Sequence, residues 1–232
     1  MGRVRELARS ETGQSKRLET GQSRGARGGT RWGAAAQVAV HLAALAPLAL
    51  LIWDGLHDQL TANPIQALTL RTGKTALILL VLSLACTPLN SVFGIRQAVK
   101  WRRPLGLYAF LYAGLHFLIF AVLDYGLDLF LLREAVFEKR YALVGFAALL
   151  LLIPLAITST RGWMKRLGKR WKRLHQAVYV AGLLVIVHYV WLVKADRREP
   201  LLWGAAVGLL LLLRIPAVRR WIAQIRPRIV RA

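Results

Sequence analysis

Three of the five histidines in this 232-residue chain, His116, His175 and His188, lie inside or at the mouth of long apolar runs. Imidazole is costly in hydrocarbon, and its uses there are metal ligation, proton relay or hydrogen bonding between helices. Counted from Leu105, His116 is about 11 residues into its run, or ~16 Å at the helical rise. Counted from Leu174, His188 is about 14 residues in, or ~21 Å, and His175 is at the mouth. If both runs travel in the same direction, His116 and His188 differ in depth by only ~5 Å, whereas His116 and His175 differ by ~15 Å. Two imidazoles at matched depth on parallel helices suit a bis-histidine haem of the b type, held by iron–nitrogen bonds and apolar contacts. The 13 residues between His175 and His188 place them about 140° apart on an ideal helix. Spacing therefore pairs His188 with His116 as axial ligands. It leaves His175 as ligand of a second haem, as a quinone contact, or as an interfacial residue. His41 and His57 read as ordinary polar residues of the first run and the first outer loop.

The elements that must position these residues follow from composition. The chain is 56% hydrophobic, with mean hydropathy +0.44, yet its formal charge is +22. The two are reconciled if the charges sit in loops between bilayer-spanning helices. Six apolar runs, at 34–53, 75–89, 105–123, 141–157, 174–193 and 201–215, approach the ~20 residues that a bilayer core needs. Twenty-four Lys and Arg fall in the 1–33 tail, the 90–104 and 158–173 loops and the end from 217, against eight on the alternate side. By the positive-inside rule both termini are cytoplasmic, so the third and fifth helices run in parallel, inside to outside. The expected fold is all-α: an integral membrane six-helix bundle over 34–216. It is preceded by a disordered basic cytoplasmic tail at 1–33, where Glu-Thr-Gly-Gln-Ser occurs twice, and followed by a basic cytoplasmic end at 217–232.

Several functions are excluded. The basic residues punctuate apolar runs rather than lining a soluble face, which argues against nucleic acid and for anionic lipid headgroups as neighbours. Cys86 is the one cysteine, so there is no intrachain disulfide and no Cys-x-x-Cys-His for covalent haem. Gly73-Lys74-Thr75 mimics the end of a phosphate loop, but Leu68 stands where the loop needs glycine. No dinucleotide fingerprint is present. A transporter is disfavoured by the lack of an obvious internal repeat and of paired broken helices. The basic 158–174 stretch, with Trp163 and Trp171, reads as an interfacial anchor or as a dock for a cofactor phosphate or quinone headgroup.

Specific segments carry a family resemblance. They are Trp101-Arg-Arg-Pro-Leu-Gly-Leu-Tyr-Ala-Phe-Leu-Tyr-Ala-Gly-Leu-His116, Thr158-Ser-Thr-Arg-Gly-Trp163, Trp171-Lys-Arg-Leu-His175 and His188-Tyr-Val-Trp-Leu-Val-Lys194. With Ala62-Asn-Pro64, Arg71-Thr-Gly73 and Thr87-Pro-Leu89, the chain resembles the MsrQ (YedZ) family over about residues 40–215. The resemblance implies a ferric-reductase-like transmembrane domain, multi-pass in the bacterial inner membrane. It also implies a b-type haem, with His116, His175 and His188 as the haem-associated residues. Electrons would pass from the quinone pool to MsrP, a periplasmic molybdenum-cofactor enzyme that reduces methionine sulfoxide in oxidised proteins. The membrane subunit would not itself perform that reduction. FMN is associated with the family, without residues assignable here. Relatives with two stacked haems carry a further histidine about 13 residues before the one on the third helix. This chain has Arg102 and Arg103 there, which removes the usual partner of His175 in a second haem. The alternative is a stand-alone transmembrane ferric or quinone reductase.

Overall fold

The computed structural model describes residues 34–218, together with 220 and 224. The expected tail at 1–33, and all but four residues of the expected end at 217–232, lie outside the described residues. The described residues are helical and contain no strand. The chain divides between Ala43 and Ala44, within helix α1 (Ala34–Leu56). The residues from Ala44 onward carry the elements described next.

Helix α2 (Pro64–Phe93) begins well before the apolar run that announced it. Asn63 accepts from the Gln66 amide at 3.1 Å, and Pro64 occupies the first turn, where its missing N–H costs nothing. Arg71 and Lys74, expected in an outer loop, are therefore helical. The helix stops at Gly94, whose φ of +75° is the left-handed cap that favours glycine. Helix α3 (Ala98–Ile119) closes in one π turn, Phe120–Asp124. The left-handed pair Gly126 and Leu127 then turns the chain. Asp128 caps a short outer helix, α4 (Leu129–Glu138), that the sequence did not announce. Lys139 donates to the Tyr125 hydroxyl at 2.8 Å, which holds its ammonium above the usual lysine range. Helix α5 (Arg140–Ile157) follows, then two short helices in the basic loop, α6 (Arg161–Leu167) and α7 (Lys169–Leu174). Helices α8 (Ala177–Leu192) and α9 (Arg198–Leu212) complete the fold.

Helix α2 packs along α3 and α5 along α8, while α3 meets α5 and α9 lies against α8 and α2. Leu77, Val81 and Val207 form one core with Val185, Ile186 and Trp203. Leu152, Leu155 and Ala181 form another with Phe110, Ala113 and Val178. Many apolar side chains on the same helices stay exposed, among them Leu82, Leu118, Val180, Leu183 and Leu209. An aqueous surface tolerates little of this, and a lipid-facing one requires it. Among the described residues, five stretches are long and apolar enough to cross a membrane: α1, α2, α3 with its π turn, α5, and α7 continued by α8. Helix α9, the sixth expected crossing, has 15 residues and falls short of that length.

Arg214, near the end of the last apolar run, has a structural task. Pro88 lies inside α2 and has no N–H to give the carbonyl four residues earlier, Leu84. Arg214 supplies the missing donor, with Nη2 2.5 Å from that carbonyl and Nη1 2.6 Å from the Tyr179 hydroxyl. Its guanidinium also lies over the Tyr179 ring at 4.8 Å. Arg214→Leu is expected to cost about 1–3 kcal/mol by stranding the Leu84 carbonyl. A lowered thermal midpoint in detergent would show it, and an unchanged midpoint would rule the role out.

Candidate functional site: a paired-imidazole seat

His116 projects from the last turn of α3 and His188 from just before the last turn of α8. Their ring centroids are 6.2 Å apart and their planes nearly perpendicular, at 84°. Each ring rests against a second helix in the same way. Nδ1 of His116 is 2.8 Å from the Thr69 carbonyl on α2, and Nδ1 of His188 is 2.7 Å from the Tyr141 carbonyl on α5. A carbonyl only accepts, so Nδ1 is the protonated nitrogen in both rings, leaving Nε2 with its lone pair for a metal.

One turn beyond each accepting carbonyl is a glycine. A Cβ on Gly73 would lie 3.0 Å from His116 Nδ1, and one on Gly145 would lie 2.6 Å from His188 Nδ1. Both glycines are notches into which the rings sink. The interval from carbonyl to imidazole is 47 residues in each case. Thr69, Gly73 and His116 thus correspond one for one with Tyr141, Gly145 and His188. The α2–α3 and α5–α8 hairpins are two copies of one seat. This repeat was not evident in the sequence, because only a backbone carbonyl and a missing side chain carry it. The same correspondence sets Arg103 opposite His175, so the copy of His175 is a cation that cannot ligate.

His175 stands apart from this pair. It lies between the end of α7 and the start of α8, where the helix is interrupted, so the ideal-helix angle between His175 and His188 does not apply. Its ring stacks on Trp171 at 3.9 Å, and Trp171 in turn donates from its indole nitrogen to the Thr158 carbonyl at 2.9 Å. Nδ1 of His175 is 3.2 Å from the Trp171 carbonyl, and Nε2 is 3.5 Å from the Ser159 hydroxyl. Among the described residues, no three His, Cys, Asp or Glu converge as a metal cluster. Asp54 pairs with Arg71, and His57 stacks on Trp53. Gly73, Gly145 and Arg214 are the residues that sequence reasoning missed. A proline-interrupted apolar helix and an arginine ending an apolar run were the available signals for Arg214.

The seat can be tested for a six-coordinate metal between the imidazoles. Two metal–nitrogen bonds of ~2.0 Å plus the two ring radii require centroids roughly 6 Å apart. The observed 6.2 Å fits.

An all-helical membrane fold with paired intramembrane imidazoles defines the class, and residues 72–186 match the ferric reductase like transmembrane component family. The chain is 46% identical over 183 residues to a Xanthomonas euvesicatoria pv. vesicatoria protein named "Protein-methionine-sulfoxide reductase heme-binding subunit MsrQ". That similarity covers 76% of this chain and 84% of the relative. A Rhodospirillum rubrum protein of the same name is 46% identical over 189 residues, covering 79% and 89%. The chain belongs to the MsrQ family. It is a multi-pass membrane protein of the ferric-reductase-like type.

Proposed function

We propose that this chain is the haem b electron-transfer subunit of a methionine-sulfoxide reductase system, passing electrons from the quinone pool to a periplasmic molybdoenzyme, MsrP. The observation that carries this reading is the 6.2 Å separation of two imidazoles that both present Nε2. When bound there, the haem supplies a one-electron carrier across a dielectric that excludes free charge. His116 and His188 would hold the iron. Thr69 and Tyr141 fix each ring's tautomer and direction through their carbonyls. Fixed rings need little rearrangement when the charge changes, and this keeps transfer fast. In the proposed topology six helices cross the bacterial inner membrane, α9 being the short sixth, and both termini are cytoplasmic. Residues 1–33 and 217–232 are then basic cytoplasmic extensions of the 34–216 domain. His175 lies at the cytoplasmic mouth, where a quinol or an FMN would deliver electrons. Arg103 in place of its histidine counterpart favours a single haem.

The test is reconstitution. A quinol should reduce the haem bands of the purified protein, and purified MsrP with oxidised substrate should reoxidise them. Iron and flavin quantitation would give one haem per chain and decide the flavin. Rapid reduction of Fe(III) chelates with no response to MsrP would replace this reading with the stand-alone reductase. The perpendicular ring planes carry a further prediction. If both imidazoles hold the iron with their planes still crossed, two d orbitals would be nearly degenerate, and the ferric protein should then give a strongly anisotropic low-spin EPR signal. A rhombic signal, typical of parallel rings, would contradict the 84° geometry.

A further inference from the structure

The chain distributes its carboxylates unevenly. None occurs between Asp58 and Asp124 or between Glu138 and Asp196, so the 90–104 and 158–173 loops are free of acid. Within 161–173 there are seven Lys and Arg, all exposed, on the paired short helices α6 and α7. Both ion pairs among the described residues, Arg71–Asp54 and Lys74–Glu199, lie elsewhere. Seven like charges on 13 residues repel one another, and no carboxylate among the described residues pairs with them. Beside them are two exposed apolar side chains, Trp163 and Met164, with the Arg166 guanidinium 5.6 Å over the Trp163 ring. Cations flanking an exposed indole suit the headgroup boundary of a bilayer, where guanidinium binds phosphate and the ring enters the acyl edge.

The arm also has an inner side. Trp171 of α7 ties it to α5 through the Thr158 carbonyl and stacks on His175. Gly168, with φ +50° and open space around it, joints the two short helices. We propose that the α6–α7 arm is a site for anionic phospholipid headgroups of the cytoplasmic leaflet, and that engaging them fixes the Trp171–His175 stack. The leaflet assignment rests on the topology proposed above.

The full-length protein in nanodiscs with identical leaflets separates the two, since lipid selectivity there does not depend on orientation. Spin-labelled phosphatidylglycerol at the protein boundary should be preferred over spin-labelled phosphatidylcholine by about fivefold, the worth of one Lys or Arg headgroup contact. Combined Arg161→Gln, Lys165→Gln, Arg166→Gln, Lys169→Gln, Arg170→Gln, Lys172→Gln and Arg173→Gln should bring the preference to about one. Lys194→Gln with Arg197→Gln, on the opposite side, should leave it unchanged. Amide exchange over 171–176 should slow in phosphatidylglycerol discs for the wild type and not for the arm variant. Selectivity that survives neutralisation of the arm would overturn the lipid site, and would be the outcome if the cations serve an acidic protein. Equal loss in both variants would overturn it as well. Selectivity without slowed exchange would overturn the coupling to His175. The haem spectrum, read on each sample, reports whether a variant has folded.

Discussion

Purified His116→Ala and His188→Ala proteins should each lose the sharp reduced-minus-oxidised haem bands that the wild type shows, while His175→Ala keeps them. Each of the first two removes one of two imidazoles 6.2 Å apart whose Nδ1 is engaged with a carbonyl and whose Nε2 is left for a metal. The remaining imidazole can hold a haem only as a single ligand, with an open sixth position and a high-spin spectrum. Nothing among the described residues near the pair offers a replacement cluster. His175 is engaged with Trp171 and Ser159 and shares no ring contact with the pair. Added imidazole should restore the six-coordinate spectrum to His116→Gly or His188→Gly protein, because the notch that held the ring is still there. Intact low-spin bands in both alanine variants would refute the assignment. Loss in His175→Ala alone would move the haem to His175.

The pairing of His116 with His188 was legible in the sequence because helical rise is nearly constant. Depths matched to ~5 Å from residue counts became rings 6.2 Å apart. The place of His175 at the head of the helix that carries His188 was legible, but its angle could be read only for a regular helix. The estimate assumed a continuous helix, and the interruption between Leu174 and Ala177 has no glycine or proline to announce it. The ends of α2 were written in Asn63-Pro64 and Gly94, yet the apolar run drew attention away from the opening three turns, which carry Arg71 and Lys74. Helix α4 was hidden for the opposite reason, since ten residues between two crossings read as loop unless Asp128 is seen as a cap. The duplicated seat could not be read at all. Its three corresponding positions share a backbone carbonyl, an absent side chain and an imidazole. Of these only the last is a chemical signal, and glycine in an apolar helix ordinarily signals nothing more than close packing.

Those glycines give the second large effect. Gly145→Ala should cost the protein most of its haem, and Gly73→Ala should cost it little. An alanine Cβ at position 145 would lie 2.6 Å from Nδ1, 2.9 Å from Cε1 and 3.2 Å from Cγ of His188, so the ring must move. Moving it breaks the 2.7 Å hydrogen bond to Tyr141 and swings Nε2 away from the metal position, which a bond of ~2.0 Å cannot follow. Losing an orienting contact of this kind weakens metal binding by about 10–100-fold. At position 73 the nearest contacts are 3.0 and 3.1 Å, so a shift of His116 by a few tenths of an ångström relieves them. Local stability works in the other direction, which makes the test decisive. Alanine in a helix interior is favoured over glycine by about 0.5–1 kcal/mol, so neither variant should unfold for want of helix propensity. Gly114→Ala, on the same helix as His116 and with nothing within 4 Å, is the matched control and should keep full haem. Haem-to-protein ratio and the low-spin fraction are the measurements. If Gly145→Ala retains both at wild-type levels, or if Gly73→Ala proves the more damaging, then the notches do not seat the rings.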